Sequence, residues 1–149
     1  EHGPEVARMI ARSTEPAHEM LPVVLSRMAG VTERLEAGAS VLDVGCGCGV
    51  AIHRLAREFP MSCFRGHDPS PEAIGRAWAE SQRLGLTNVT YVQTGGEDLP
   101  KEPTFDLVMT LDCMHDLPRP EAVIRAIRGA IKPQGVWLIK DIRCWTHEA

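Results

Sequence analysis

The sequence predicts an α/β fold, a doubly wound and mainly parallel sheet with helices on both faces, and two observations carry that expectation. Short apolar runs alternate with amphipathic stretches along most of the 149 residues. The first clear run, Ser40-Val41-Leu42-Asp43-Val44, passes straight into Gly45-Cys46-Gly47-Cys48-Gly49. Alternating glycines there let the chain turn sharply and let a ligand come close to the backbone.

Taken in order, a helix is expected over Glu5–Ser13 and another over Ala17–Met28, where Leu21, Val24, Leu25 and Met28 share one face. Strands are expected at Ser40–Val44, Ser62–His67, Asn88–Gln93, Phe105–Thr110 and Gly135–Asp141. Helices fall between them at Val50–Phe59, Pro71–Leu84 and Pro120–Ile131, the last two opening at prolines, whose missing N–H costs little there. Residues 94–104 are rich in glycine, proline and acids and leave room for one short helix at most. Repeats, low-complexity tracts and linkers are not visible. The expectation is therefore one domain over 1–149, with N-terminal helices in 1–36 and the core in 37–141.

At 44% hydrophobic residues the chain can bury a real core, and its formal charge of -4 argues against a general grip on nucleic acid. Its arginines are scattered along helices as solvated faces. There is neither an apolar run of bilayer length nor a secretory pattern, so a soluble protein is expected. Five cysteines, Cys46, Cys48, Cys63, Cys113 and Cys144, are odd in number and irregular in spacing, which suits a reducing cytoplasm. Cys46 and Cys48 lack a partner pair at zinc-ligand spacing, so no metal is expected.

The helix after the glycine loop aims its first N–H groups at whatever the loop holds. A dinucleotide fingerprint needs glycine at the first, third and sixth places of the turn, and the sixth place counted from Gly45 is Val50. A Walker phosphate loop is also absent. A ligand without a pyrophosphate draws less on the helix dipole and more on carboxylates. Asp43 is one: buried among valines, it must be fully hydrogen-bonded, either by receiving loop N–H groups or by reaching a ligand amine through water. Asp68 ends the second strand, where an acid accepts from ribose hydroxyls or caps the next helix, a cap that Ser70 can supply instead. His115 stands with Asp112 and Asp116 after the fourth strand. Those carboxylates raise its pKa into a range useful for proton transfer, the other reading being a histidine that braces the loop or covers a ligand. Asp141 ends the fifth strand and either touches an acceptor or stays solvated.

Asp43-Val44-Gly45-Cys46-Gly47-Cys48-Gly49 resembles the first motif, Asp/Glu-x-Gly-x-Gly-x-Gly, of the S-adenosylmethionine-dependent methyltransferases with a Rossmann-like fold, class I. Thr94-Gly95-Gly96-Glu97-Asp98-Leu99-Pro100 is similar to the family's Gly-Asp-Ala-Glu-Asp-Leu-Pro loop that cups adenine. Gly95 stands where the family usually has the aspartate, so adenine recognition passes to the backbone around Gly96 and Glu97 or to Glu97 itself, unless Glu97 and Asp98 are a solvated pair. Phe105–Leu117 resembles the fourth strand and its loop, with Leu111 where the backbone meets the methionine part of the cofactor. Ile131-Lys132-Pro133-Gln134-Gly135 resembles the Leu-Lys-Pro-Gly-Gly turn into the fifth strand, in which Pro and Gly break the helix and restart the sheet. The Asp-Cys-Met-His-Asp-Leu wording looks most like small-molecule or uncharacterised bacterial-type members.

The resemblance, which runs from Ala37 to Asp141, implies sheet order 3-2-1-4-5 followed by an antiparallel hairpin of strands six and seven. The sequence stops before that hairpin, so a domain fragment or a shortened chain is expected. It implies cofactor contacts from Asp43, Gly45, Cys46, Gly47, Gly49, Asp68, Pro69, Gly96, Glu97 and Leu111, and catalytic roles for His115 and Asp116. The implied reaction is in-line displacement of the methyl group of S-adenosylmethionine by an unidentified acceptor, leaving S-adenosylhomocysteine. A small molecule is the expected acceptor, and the N-terminal helices form a lid or a homodimer contact. Two other readings stay open: a cofactor-binding regulatory or sensing module without turnover, and a nicotinamide-dependent oxidoreductase.

Overall fold

Residues 18–142 are described by the computed structural model of the chain; the expected helix over Glu5–Ser13 and both ends of the 1–149 domain lie outside them. In chain order the elements are α1 (Leu21–Ser26), α2 (Val31–Ala37), β1 (Ser40–Val44), α3 (Val50–Glu58), β2 (Cys63–Asp68), α4 (Pro71–Arg83), β3 (Val89–Gln93), β4 (Phe105–Leu111), a 3-10 turn (Met114–Asp116), α5 (Pro120–Ala130) and β5 (Ile131–Lys140). The strands form one sheet in the order β3-β2-β1-β4-β5. Every pairing is parallel, which agrees with the doubly wound expectation.

Alternation along β1 explains why the sheet is covered on both faces. Val41 joins a core with Ile52 and Leu55 of α3, Ala77 of α4, Leu25 of α1 and Leu35 of α2. Leu42 and Val44 point the other way, into a second core with Val123 and Ile127 of α5. Period-two strands flanked by period-3.6 helices give this double burial, and both β1 faces are closed to water. Among the described residues no helix is long and apolar enough to cross a membrane.

Four local readings are corrected. First, the expected Ala17–Met28 helix has its regular described stretch in α1, which stops at Ser26; second, a further helix, α2, follows where no element was expected, because Gly30 takes a left-handed conformation, φ 75°, and restarts the chain at Val31. The second helix is anchored by Val31 and Leu35, four residues apart and both buried. Ser62, between α3 and β2, ties this region down: its hydroxyl donates to Leu35 O (2.6 Å) and accepts from Ala39 N–H (2.9 Å). The third correction is that β5 begins at Ile131 directly after α5, without a break at Pro133 and Gly135. The register against β4 slips between Phe105 and Leu107, and a Cβ on Gly135 would lie 2.6 Å from Ile131 Cγ1 and 3.0 Å from Phe105 O. The irregularity that reads as a break in sequence is accommodated as a bulge inside the strand. The fourth is that the loop expected after the fourth strand contains a 3-10 turn at Met114–Asp116.

Candidate functional site

The carboxyl ends of β1, β2 and β4 bring the glycine loop, Asp43, Asp68 and the His115 segment to one edge of the sheet, where open α/β folds bind ligands. Gly45, Gly47 and Gly49 all take positive φ, 74°, 52° and 77°. Their roles differ. A Cβ on Gly45 would stand 2.9 Å from Cys113 Cβ, and one on Gly49 would stand 2.7 Å from the Tyr91 hydroxyl and 3.1 Å from Ala77 Cβ. A Cβ on Gly47 would meet nothing within 4 Å. Gly49 therefore supplies the close packing of helix on sheet that the sequence reading missed at Val50, and Gly47 is the glycine that faces free space.

The loop is held from β2. Gly45 N–H and Cys46 N–H both donate to His67 O (2.8 and 3.1 Å), and Gly49 N–H donates to Cys46 O (2.9 Å). Gly47 N–H donates to Asp68 Oδ2 (2.9 Å), while Asp68 Oδ1 accepts from Ser70 N–H (2.9 Å). The cap of α4 is Ser70, whose hydroxyl accepts from Ala73 N–H (3.2 Å), so Asp68 is not the capping residue. Pro69 lies exposed beside it.

Asp43 departs from its expected environment. It is 2% exposed, and its Oδ1 has no hydrogen-bond partner. The N–H groups of Gly45, Cys46, Gly47 and Gly49 go to His67, Asp68 and Cys46, so Asp43 is not the loop's anchor. Burial, reinforced by the Asp68 charge, pushes its carboxyl up to about 8. The neighbouring thiols stay protonated: burial, aided by the charge of Asp43, raises Cys46 well above its ordinary value and takes Cys113 to about 12.

Beyond β4, Leu111 is buried and Asp112 takes the one positive φ of a non-glycine among the described residues, 53°. Asp112 N–H donates to Lys140 O (2.7 Å), and its carboxylate pairs with Lys140 Nζ. The neighbouring Cys113 thiol donates to Val44 O (3.2 Å). Next comes a pairing that sequence reasoning missed. His115 Nδ1 lies 2.5 Å from Asp141 Oδ1, and Asp141 Oδ2 accepts from Met114 N–H (2.9 Å). Asp116 Oδ2 is 3.3 Å from His115 Nε2 with its own side chain 83% exposed. The Asp141 hydrogen bond, with the charges of Asp116 and Asp112, raises the pKa of His115. Both Asp141 oxygens thus have partners, and one of them orients the imidazole. Among the described residues no three His, Cys, Asp or Glu side chains are placed to hold a metal ion.

On the far side, Gly96 is buried, and a Cβ there would stand 2.8 Å from Val44 Cγ1. It lets the loop after β3 lie flat on the sheet. Glu97 pairs with Arg119 (3.2 Å), and Thr94 Oγ1 donates to Asp98 (3.3 Å), so the two acids have separate partners. Beneath Gly49, a buried chain joins His53 Nε2 to Ser81 Oγ (3.0 Å) and Ser81 Oγ to the Tyr91 hydroxyl (3.1 Å). His53 also borders a groove of about 660 Å³ between the outer faces of α3 and α4, which shares Cys48 and Val50 with the loop. Its Arg54, Arg76 and Arg83 pair with Glu58, Glu72 and Glu80 of their own helices.

Residues 35–149 match the family described as Methyltransferase domain. The chain is 33% identical over 123 residues to the ubiquinone biosynthesis O-methyltransferase of Paraburkholderia xenovorans strain LB400, covering 81% of this chain and 51% of that one. It is 37% identical over 124 residues to the enzyme of the same name from Xanthomonas euvesicatoria pv. vesicatoria strain 85-10, covering 81% and 49%. The chain thus spans about half the length of the curated relatives it matches. In fold it resembles the crystal structure of a SAM dependent methyltransferase from Aquifex aeolicus, with TM-score 0.70, 22% identity and coverage of 95% of this chain and 73% of that one.

Proposed function

We infer function from the premise that the chain belongs to the methyltransferase domain family, and read it as the cofactor-binding core of an S-adenosylmethionine-dependent enzyme that methylates a small molecule. The observation that carries this reading is the glycine loop latched to Asp68, with Gly47 turned toward free space. S-adenosylmethionine fits that edge as a ligand with a ribose for Asp68, a cationic amine near Asp43 and an adenine beside Gly96 and Glu97. Gly45, Cys46, Gly49, Pro69 and Leu111 would form its walls.

The bound cofactor supplies an activated methyl group on a sulfonium. The protein's share is alignment, exclusion of water and, for an acceptor that must lose a proton, a base. His115 suits the last task. Asp141 holds Nδ1 and so points Nε2 outward, and Asp116 reaches Nε2 with an exposed, movable side chain. Phenolic acceptors lead the list, because the ubiquinone biosynthesis enzymes are named O-methyltransferases and a phenol needs such a base. The free cysteines Cys46, Cys48, Cys63 and Cys113 support a cytoplasmic setting.

The test is transfer of labelled methyl from S-adenosylmethionine to a panel of catechols, phenols and amines. Methylated phenol that vanishes with His115→Ala, while cofactor binding persists, supports the reading. Cofactor binding with no transfer to any acceptor moves the chain to a binding module without turnover.

A further inference from the structure

Asp43 poses a problem that the protein does not solve with its own side chains. In the sheet it lies between Gly66 of β2 and Met109 of β4 by register, 2% exposed, with Oδ1 unpartnered. The charge that acts on it is that of Asp68 at the end of β2, and Asp43 in turn acts on Cys46 in the glycine loop, Tyr91 of β3 and Cys113 after β4. None of these is a cation. On α3 the buried titratable group is His53, which is engaged by Ala77 O and Ser81, and the buried residues of α4 are Ile74, Ala77 and Ser81. At the end of β4, Asp112 has the charge of Lys140 to itself. A buried carboxylate so placed has two ways to avoid its desolvation cost: hold a proton or receive a cation from outside.

Gly47, in the loop that continues β1 beyond Asp43, borders open space, and on the reading above the ligand comes to this end of the strand from that side. We propose that ligand binding on the glycine loop is coupled to release of one proton from the Asp43 carboxyl, so that the site selects a cationic ligand and takes it more tightly as pH rises. The inference rests on the cofactor reading above, which supplies an ammonium and a sulfonium as the cations. The covalent balance is simple: the Asp43 O–H breaks, the proton passes to buffer, and the carboxylate remains under the ligand's positive charge. Burial pushes the empty group up to about 8, so the coupling operates below about pH 8, down to the lower value the carboxyl takes beneath a bound cation. One released proton makes affinity rise up to about tenfold per pH unit in that window.

The experiment is calorimetric titration of the protein with S-adenosylmethionine and with S-adenosylhomocysteine near neutral pH, in phosphate and again in Tris, buffers that differ widely in ionisation enthalpy. The expected result is a heat that differs between the buffers by about one proton's worth, and an affinity that rises with pH. In Asp43→Asn the release disappears and affinity flattens with pH. That variant also subtracts any titration of the ligand's own amine. Heats that do not depend on buffer overturn the proposal, as does an undiminished release in Asp43→Asn. Should that variant fail to fold, the sign of the two-buffer difference on the parent protein decides, because a site that favours the cationic ligand makes its amine take up protons, whereas Asp43 releases one. Absence of binding by both compounds removes the cofactor reading itself, and the proposal with it.

Discussion

Gly47 and Gly49 sit two residues apart in one loop with the same sign of φ, yet substitution by alanine should injure the protein in different ways. Both variants place a Cβ in a left-handed conformation, at φ 52° and 77°, which costs about 1–2 kcal/mol. At Gly47 that is the whole structural penalty, because the new methyl meets no atom within 4 Å. At Gly49 it would stand 2.7 Å from the Tyr91 hydroxyl and 3.1 Å from Ala77 Cβ. Overpacking there adds about 1–3 kcal/mol, since Tyr91 is fixed through Ser81 and His53 and cannot swing aside. The sum for Gly49→Ala is about 2–5 kcal/mol, or a melting temperature lower by roughly 5–15 °C in a chain of this size, against roughly 3–6 °C for Gly47→Ala. Ligand affinity should reverse the order. Gly47→Ala puts a methyl where the proposed site would hold the cofactor and should weaken S-adenosylhomocysteine by about tenfold or more, about 1.4 kcal/mol. Gly49→Ala, measured below its melting point, should bind within about threefold of the parent. Thermal unfolding by circular dichroism and calorimetric titration read both quantities. If Gly47→Ala melts as low as Gly49→Ala, or if Gly49→Ala alone loses the ligand, the division of labour within the loop is wrong.

Other variants probe the support around the site. Ser62→Ala removes a hydroxyl that joins Leu35 O to Ala39 N–H at 0% exposure, and urea unfolding should show a loss of about 2–4 kcal/mol. His67 is buried with neither ring nitrogen bonded, and burial, with the Arg65 charge, lowers its pKa to about 4 from the ordinary 6.5. The folded state thus resists protonation: this contribution to stability is complete above about pH 6.5 and is lost as pH falls toward 4. His67→Leu should flatten that part of the acid limb and raise stability at neutral pH by about 1 kcal/mol, read from unfolding curves across pH. His115 has the opposite sign, its pKa raised chiefly by Asp141, so its favourable pairing holds at low pH and fades as pH climbs through the raised value. Asp141→Asn should return the imidazole toward ordinary titration, visible in its NMR shifts; an unchanged midpoint would exclude Asp141 as the partner.

Much of the fold was legible because its signals are local. Val41, Leu42 and Val44 are apolar on both faces of a short strand, and prolines mark the starts of α4 and α5. The turn after β1 was equally local, since Gly45, Gly47 and Gly49 all take the positive φ that alternating glycines permit. What escaped depended on register or on space. His115 and Asp141 are 26 residues apart, and they meet because Leu111 pairs with Lys140 across β4 and β5, a match no local pattern encodes. The helix at Val31–Ala37 is seven residues long with no capping side chain, so its only trace was two apolar positions four apart. Asp43 was recognised as a buried acid, but its lack of partners could not be foreseen, because the loop N–H groups that would have served it are taken up by His67 O and Asp68.

The two-handed hold on Asp68 has an entropic consequence. With one oxygen on Gly47 N–H and the other on Ser70 N–H, its carboxylate is already confined to one rotamer before any ligand arrives. A side chain ordered on binding typically costs about 0.5–1.5 kcal/mol of affinity, and here that ordering is completed during folding instead. Each carboxylate oxygen keeps a second lone pair, so ribose hydroxyls can join without displacing either backbone donor. On the proposed reading, recognition of the ribose would then be a matter of rigid fit to an acid that folding has already set in place.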